Sequence, residues 1–222
     1  MGVGFWLIIA NLYLYFMKLD IVMMNSFLQQ IWEWLSAWDT ALFLQINTVF
    51  THPYLDKLLP LIRNANLWVP LYVFLLLFVV LNFKNRSFFW ILGAVLTIII
   101  TDQVSSSLIK PFFERPRPCN DPILMNHVRL LLGHCSGGYS FTSSHATNHF
   151  GFAMYIFLTL RTIFKKWSYL FFFWAALVSY AQVYVGVHYP LDVFFGSIIG
   201  SMIGYATSQI ILRKIGTLIP EL

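Results

Sequence analysis

The sequence predicts an all-α membrane protein, a bundle of helices that crosses the bilayer several times. Of its 222 residues, 59% are hydrophobic and only 10% are charged, whereas a soluble domain carries about 25% charged residues. Several apolar segments approach or exceed the roughly 20 residues that a spanning helix needs. They lack the alternation of period two that marks strands. Internal repeats and long linkers are absent, so we expect one membrane domain.

Five segments are predicted as clear transmembrane helices. They cover residues 67–83, 88–108, 147–164, 167–185 and 192–212. The last segment contains Gly196, Gly200 and Gly204, and small residues at this spacing let two helix backbones approach closely in lipid. We therefore expect this helix to pack tightly against a neighbour.

The N-terminal part of the chain is predicted to differ from the bundle, with a boundary between residues 1–24 and the membrane domain at 25–222. The apolar N-terminal segment is either a sixth span or an extension that lies on the membrane. No basic region precedes it, so a signal peptide is not expected. Residues 27–50 combine tryptophans with polar side chains at helical spacing, which predicts an amphipathic helix at the membrane interface.

The basic residues divide evenly between the two predicted membrane faces. Loops at 82–86, 161–166 and 213–216 share one face and hold seven of the fourteen Lys and Arg residues. The positive-inside rule would make that face cytoplasmic. The other seven lie on the opposite side, and four of them fall in the loop 109–146, so charge counting leaves the orientation open.

Three polar clusters fall on that opposite face, at the ends of different spans. They are KPFFERPRP (110–118), SFTSSHATNH (140–149) and VHYPLD (187–192). Ionisable residues at membrane depth are costly and usually mark function. Lys110, Arg115 and Arg117 offer the charge-assisted hydrogen bonds that suit phosphate oxygens. Ser143 adds a hydroxyl at a helix start, although a role as helix cap is equally open.

Two histidines extend phosphate binding to phosphate chemistry. His188 can attack phosphorus and form a covalent intermediate. Asp192, in the first turn of a helix that Pro190 would open, can hold the other ring nitrogen of His188. His145 can protonate the leaving oxygen. His149 follows one helical turn later and is a candidate for an accessory position in the pocket.

The order and spacing of these clusters resemble the type 2 phosphatidic acid phosphatase superfamily, a group related to bacterial acid phosphatases and vanadium haloperoxidases. Lys110, six intervening residues and Arg117-Pro118 resemble its first signature. TSSH at 142–145 resembles the second, usually Pro-Ser-Gly-His. AQVYVGVHYPLD at 181–192 resembles the third, usually Ser-Arg, five residues, His, three residues and Asp. The resemblance covers about residues 40–212.

The resemblance implies a metal-independent phosphatase without a cofactor, in which His188 becomes phosphohistidine, Asp192 is its partner and His145 is the general acid. The phosphate ligands that it implies are Lys110, Arg117, the hydroxyl of Ser143 and the backbone N–H of Ser144.

Gln182 is the main departure, because the family usually has a phosphate-binding arginine there. An amide can donate a hydrogen bond to phosphate but brings no charge. Losing one ionic ligand costs roughly 1.5–3 kcal/mol. Arg115, Arg129 and His149 are the candidates that we expect to compensate.

Cys119 and Cys135 are the only cysteines, and both lie in the loop between the first two signatures. We expect a disulfide between them if this face is periplasmic or extracellular. Closing a loop of this length stabilises a protein by roughly 3 kcal/mol.

The expected partners are the bilayer and an amphiphilic phosphate ester, and no nucleic acid. The resemblance implies undecaprenyl diphosphate, phosphatidylglycerophosphate, phosphatidate or a lipid A phosphate as substrate. It also implies a bacterial inner membrane protein with a periplasmic or external active site. Two alternatives stay open: transfer of phosphate between lipids, and a non-catalytic protein that binds or transports lipid.

Overall fold

The computed structural model describes residues 29–218. All regular elements in this range are helices, and none of these residues forms a strand. The chain divides into two compact units, Met1–Ala41 and Leu42–Leu222. The predicted N-terminal span or extension, and the predicted boundary near residue 24, lie outside the described residues.

The segment predicted to be an amphipathic helix is helical. Residues 29–44 form α1, which continues as a π-helical segment at Gln45–Val49. Trp34 and Trp38 are exposed, and their ring centroids lie 5.9 Å apart. Exposed tryptophans of this kind are typical of a helix at the membrane–water interface, which stays a prediction for α1.

A ten-residue helix that the sequence analysis did not predict follows. α2 covers Pro53–Ile62 and opens on a proline, whose missing N–H is harmless in the first helical turn. Nδ1 of His52 accepts a hydrogen bond from the N–H of Tyr54 at 3.3 Å and caps the helix. The segment is too short to span a bilayer and contains Pro60, so it gave no signal of a span. Arg63 is its C-cap residue.

All five segments that were predicted as spans are helical. A 3₁₀ turn at Ala65–Trp68 leads into α3, Val69–Phe83. α4, Asn85–Gln103, continues through a π-helical segment, Val104–Ile109, into α5, Lys110–Phe113. The remaining helices are α6, Ser144–Phe164, α7, Leu170–Tyr184, and α8, Pro190–Ile215.

Length and hydropathy identify three of these helical stretches as able to cross a membrane. They are Ala65–Phe83, Asn85–Phe113 and Pro190–Ile215. The count of five spans is therefore not confirmed on this criterion, since α6 and α7 are not among the three. Tyr155, Ile156 and Leu160 on α6 are fully buried, so this helix meets protein more than lipid. Its residues are suited to packing against other helices, and it therefore lacks the high mean hydropathy of a span that faces lipid.

The predicted close packing of the last helix is confirmed, and its partner is α6. A Cβ atom added to Gly200 would lie 2.1 Å from the carbonyl oxygen of Thr147, and one added to Gly204 would lie 2.1 Å from that of Gly151. Only glycine permits such an approach of backbone to backbone. The contact fixes the N-terminal ends of α6 and α8 beside each other.

The loop between α5 and α6 carries the predicted disulfide. Cys119 lies in a short 3₁₀ turn at Pro118–Asn120 and is bonded to Cys135, with 5.9 Å between the two Cα atoms. That separation is usual for a disulfide. The bond ties Arg117, two residues before Cys119, to the far side of the loop.

Substitution of Gly200 by leucine is expected to destabilise the fold. The new side chain would collide with the backbone of α6, and overpacking of this kind typically costs about 1–3 kcal/mol. Gly133→Ala is the matched control, because a Cβ there meets nothing within 4 Å. Thermal unfolding in detergent should show a lower midpoint for the first variant only, and equal midpoints would contradict the packing.

Candidate active site

The three polar clusters meet at the N-terminal ends of α6 and α8. The N–H of Ser143 donates to the carbonyl of Asp192 at 3.0 Å, which joins the two helix starts. The N–H of Ser140 donates to the carbonyl of Arg115 at 2.7 Å. Nη1 of Arg117 donates to the carbonyl of Val187 at 3.2 Å. Residues far apart in the chain therefore line one site.

His188 and Asp192 form the predicted pair. His188 lies in the turn between α7 and α8, and Asp192 lies in the first turn of α8, which begins at Pro190. Nδ1 of His188 is 3.4 Å from Oδ2 of Asp192, an ion-pair contact longer than the usual N–H···O hydrogen bond, and Nδ1 has no hydrogen-bond partner within residues 29–218. The two side chains are 2% and 0% exposed, so water screens their attraction little.

Three hydrogen-bond donors contact the carboxylate of Asp192. Oδ1 accepts from Nη1 of Arg115 at 2.8 Å. Oδ2 accepts from the N–H of Tyr189 at 2.8 Å and from the hydroxyl of Ser140. Arg115, which was predicted as an accessory phosphate ligand, thus pairs with the carboxylate and also covers the ring of Tyr189, 3.8 Å from its centroid. The sequence analysis missed Ser140, since nothing in its local pattern marks it.

Arg117 fixes the tautomer of His188. Its Nη1 lies 3.0 Å from Nε2 of His188, and a guanidinium can only donate. Nε2 therefore accepts and carries a lone pair, while the proton of the neutral ring sits on Nδ1, facing Asp192. Burial also holds the pKa of His188 below its ordinary value, so the ring is neutral at neutral pH. A neutral imidazole with its lone pair on Nε2 is the form that a nucleophile needs, and in this structure that lone pair accepts the hydrogen bond of Arg117.

The start of α6 supplies the predicted backbone donors. The hydroxyl of Ser143 accepts from the N–H of Ala146 at 3.4 Å and caps the helix. The hydroxyl of Ser144 lies 3.0 Å from those of Ser105 and Ser106. The N–H groups of Ser144 and its successor have no acceptor within the helix. This end of α6 therefore offers N–H donors and a positive helix dipole to an anion.

His145 and Lys110 approach the same site from two helices. The positive charges of Arg63 and Lys110 act on the imidazole of His145. Lys110, at the start of α5, interacts electrostatically with Arg117 and with the carboxylate beside His188. The predicted general acid and two predicted phosphate ligands thus share one electrostatic neighbourhood.

His149 lies one turn further along α6. Its ring is nearly parallel to that of His145, with 6.2 Å between centroids and 5° between planes. Nδ1 donates to the carbonyl of His145 at 2.8 Å, and Nε2 has no partner among residues 29–218. A cavity of about 260 Å³ adjoins the ring, lined also by Tyr72, Phe152 and Trp174. His149 therefore lines a space next to the site.

Gln182, the residue in place of the family arginine, is fully buried on α7. Its Oε1 accepts a hydrogen bond from Nε of Arg63 at 3.3 Å. Arg63 was not among the residues expected to compensate. Of those, Arg115 pairs with Asp192, and Arg129 pairs with Asp56 at 2.8 Å.

The ion pair of Arg129 belongs to a structural network. Asn47 donates to the carbonyls of Arg129 and Tyr184 at 2.9 and 2.8 Å, and accepts from the N–H of Arg129 at 2.8 Å. Hydrogen bonds from Tyr184 and Arg129 hold the pKa of Asp56 below its ordinary value. Arg129 thus anchors the long loop to α2 and α7. Within residues 29–218, no three His, Cys, Asp or Glu side chains are grouped as metal ligands.

Comparisons with known proteins agree with this geometry. The family model of the PAP2 superfamily matches residues 90–215. A lipid A 4'-phosphatase from Porphyromonas gingivalis is 34% identical over 183 residues, which cover 81% of this chain and 75% of the relative. The crystal structure of Aquifex aeolicus LpxE has a TM-score of 0.56 at 30% identity, covering 77% of this chain and 94% of that one.

A second crystal structure shares the fold. It is a transmembrane PAP2 type phosphatidylglycerolphosphate phosphatase from Bacillus subtilis, with a TM-score of 0.61 at 20% identity, covering 83% of this chain and 89% of that one. The family model spans more than half of the chain, and the Porphyromonas relative covers four fifths of it. The chain therefore belongs to the PAP2 superfamily and is a membrane phosphatase of that family.

Proposed function

We propose that this phosphatase hydrolyses the phosphate ester of a lipid A-type glycolipid through a phosphohistidine at His188. The observation that carries the chemical part is the contact of Arg117 with His188, because it leaves a lone pair on Nε2 and a proton on Nδ1. The lipid is inferred from the relative of Porphyromonas gingivalis, which is named a lipid A 4'-phosphatase. The cavity beside His149 supports a lipid as the leaving group.

The first step forms the phosphoenzyme. The guanidinium of Arg117 turns from Nε2 of His188 to a phosphate oxygen, and the freed lone pair of Nε2 attacks phosphorus. The bond from phosphorus to the ester oxygen breaks, and its electron pair goes to that oxygen. Burial and the nearby cations lower the pKa of His145 to about 3 when no anion lies beside it, and the negative charge of the bound phosphate favours the protonated ring. His145 donates this proton to the oxygen, so the lipid leaves as an alcohol. The ring of His188 becomes cationic, and the carboxylate of Asp192, 3.4 Å from Nδ1, stabilises that charge.

The second step releases phosphate. Water attacks phosphorus, the bond from phosphorus to Nε2 breaks, and His188 recovers its lone pair. His145, now neutral, accepts the proton of the water. Lys110, Arg117 and the first N–H groups of α6 stabilise the phosphoryl oxygens in both steps, since charge-assisted donors around a developing charge lower its energy most in a site that excludes water.

The cellular arrangement belongs to the same proposal. We propose a bacterial inner membrane protein whose active site faces the periplasm. The disulfide supports this, because such bonds persist in oxidising compartments, and Cys119 lies two residues from Arg117. The basic loops between α3 and α4, between α6 and α7, and after α8 then face the cytoplasm, as the positive-inside rule favours.

Replacement of His188 by alanine is expected to abolish phosphate release, because the proposed intermediate forms on its Nε2. Wild-type activity should persist in EDTA. With a substrate labelled in the phosphate, acid-sensitive and base-stable label should appear on the wild-type protein only. The assay also separates water from a lipid acceptor, since transfer would put label into a second lipid. An active His188→Ala variant, or loss of activity in EDTA, would refute the mechanism.

His145→Ala is expected to act differently on two kinds of substrate. A lipid ester needs a protonated leaving oxygen, so its turnover should fall by about 10²–10⁴-fold. A p-nitrophenyl ester leaves without a proton, so its first step should persist, and the phosphoenzyme should accumulate because the second step lacks its base. A burst of nitrophenol in rapid mixing measures this. Equal losses on both substrates, with no burst, would remove His145 from the role of acid.

The disulfide tests the orientation. In spheroplasts, a membrane-impermeant maleimide is expected to label the protein only after treatment with a membrane-impermeant reductant, because both thiols are bonded and face the periplasm. A variant with Cys119→Ser and Cys135→Ser is the control for background labelling. Labelling before reduction would show free thiols, and labelling only after lysis would show the opposite orientation.

A further inference from the structure

The contact between Arg63 and Gln182 joins two parts of the chain that no sequence pattern connects. Arg63 is the C-cap residue of α2, and Gln182 lies 119 residues later, in the last turns of α7. Nε of Arg63 donates to Oε1 of Gln182 at 3.3 Å. The amide is fully buried, so it offers the guanidinium a rigid acceptor.

Within residues 29–218, no carboxylate pairs with the charge of Arg63. Its hydrogen bond goes to a neutral amide, whereas Arg115 and Arg129 each pair with an aspartate. The side chain is half-buried, and burial lowers its pKa from the ordinary value. A partly desolvated cation without a counter-ion is costly, which indicates that an anion belongs beside it.

The surroundings identify where that anion lies. The N–H of His188 donates to the carbonyl of Gln182 at 3.3 Å, so the residue that holds Arg63 contacts the backbone of the proposed nucleophile. Arg63 is also close enough to His145 and Arg117 for its charge to act on both. Both of these residues border the phosphate position of the proposed mechanism. The Nε2 group of Gln182 has no partner among the described residues, so an unused amide donor lies next to the guanidinium.

We propose that Arg63 is a phosphate ligand of the active site, held in place by Gln182 as a positioning residue. The inference rests on the proposed function, because it needs the phosphoryl group at His188. Nε is engaged by the amide, which leaves the two Nη groups to donate to phosphate oxygens. The third motif then lacks a cation because α2 supplies one.

Moving the cation from position 63 to position 182 tests this assignment. In wild type, Gln182→Arg would place a second guanidinium against Arg63, and like charges in a buried position repel. With Arg63→Ala, the same substitution would supply the missing cation. As a single substitution, Gln182→Arg is therefore expected to lower the affinity for phosphate. In the Arg63→Ala background, the same substitution is expected to raise it.

The measurement is binding of inorganic phosphate, read as the phosphate-dependent rise of the melting temperature in detergent. Arg63→Ala is expected to weaken binding about tenfold to a hundredfold, as for loss of one charged hydrogen-bond donor. Arg63→Lys should recover part of this. Arg213→Ala, an exposed arginine near the end of α8, is the matched control and should bind as wild type. The melting temperatures without phosphate report whether each variant folds.

Two results would overturn the proposal. One is a folded Arg63→Ala protein that binds phosphate as tightly as wild type. The other is a folded double variant that binds no better than Arg63→Ala. Failure of the proposed function is seen separately, as turnover that survives His188→Ala, because phosphate binding is measured without turnover. Arg63→Ala should also raise KM for the lipid phosphate. If Arg63 had only a structural role, a variant with an unchanged melting temperature would keep the wild-type KM.

Discussion

The carboxylate of Asp192 needs hydrogen-bond donors because it is removed from water completely. Burying an ionised carboxylate costs several kcal/mol unless it is paired and its oxygens are satisfied. Arg115, from the loop after α5, and Ser140, from the segment before α6, meet that requirement together with the N–H of Tyr189 at the start of α8. The same carboxylate faces Nδ1 of His188. One buried charge thus joins the three polar clusters and contacts the proposed nucleophile.

The site keeps an excess of positive charge once this pairing is made. Arg115 is neutralised by Asp192, whereas Lys110, Arg117 and Arg63 form no ion pair with a carboxylate within residues 29–218. Their mutual repulsion is tolerated because the backbone frame is rigid, with α6 and α8 in contact through glycines and the loop closed by a disulfide. Such an arrangement favours binding of a multiply charged anion such as phosphate.

Local composition predicted most of the fold, and its failures have physical causes. The five helical segments were predicted from the length of the apolar runs. A long apolar run in a membrane forms a helix because the backbone N–H and C=O groups must hydrogen-bond within the segment. It could not say which of them face lipid, so α6, surrounded by protein, lacks the hydropathy of a span. α2 was not predicted, because a ten-residue helix that packs on its neighbours needs neither the length nor the continuous apolar sequence of a span. Residues 1–28 lie outside what the structure describes.

For the site, the local sequence patterns predicted the candidate residues His145, His188 and Asp192, with cations before them. The pair His188 and Asp192 can be predicted in this way because residues four apart at the start of a helix lie close together. The partner of each cation is visible only in the folded chain. Arg115 pairs with a carboxylate 77 residues away, and Arg63 donates to an amide 119 residues away. The glycine pattern predicted that α8 packs closely, but which distant side chains meet depends on how all the helices pack, and that is not written in any local pattern.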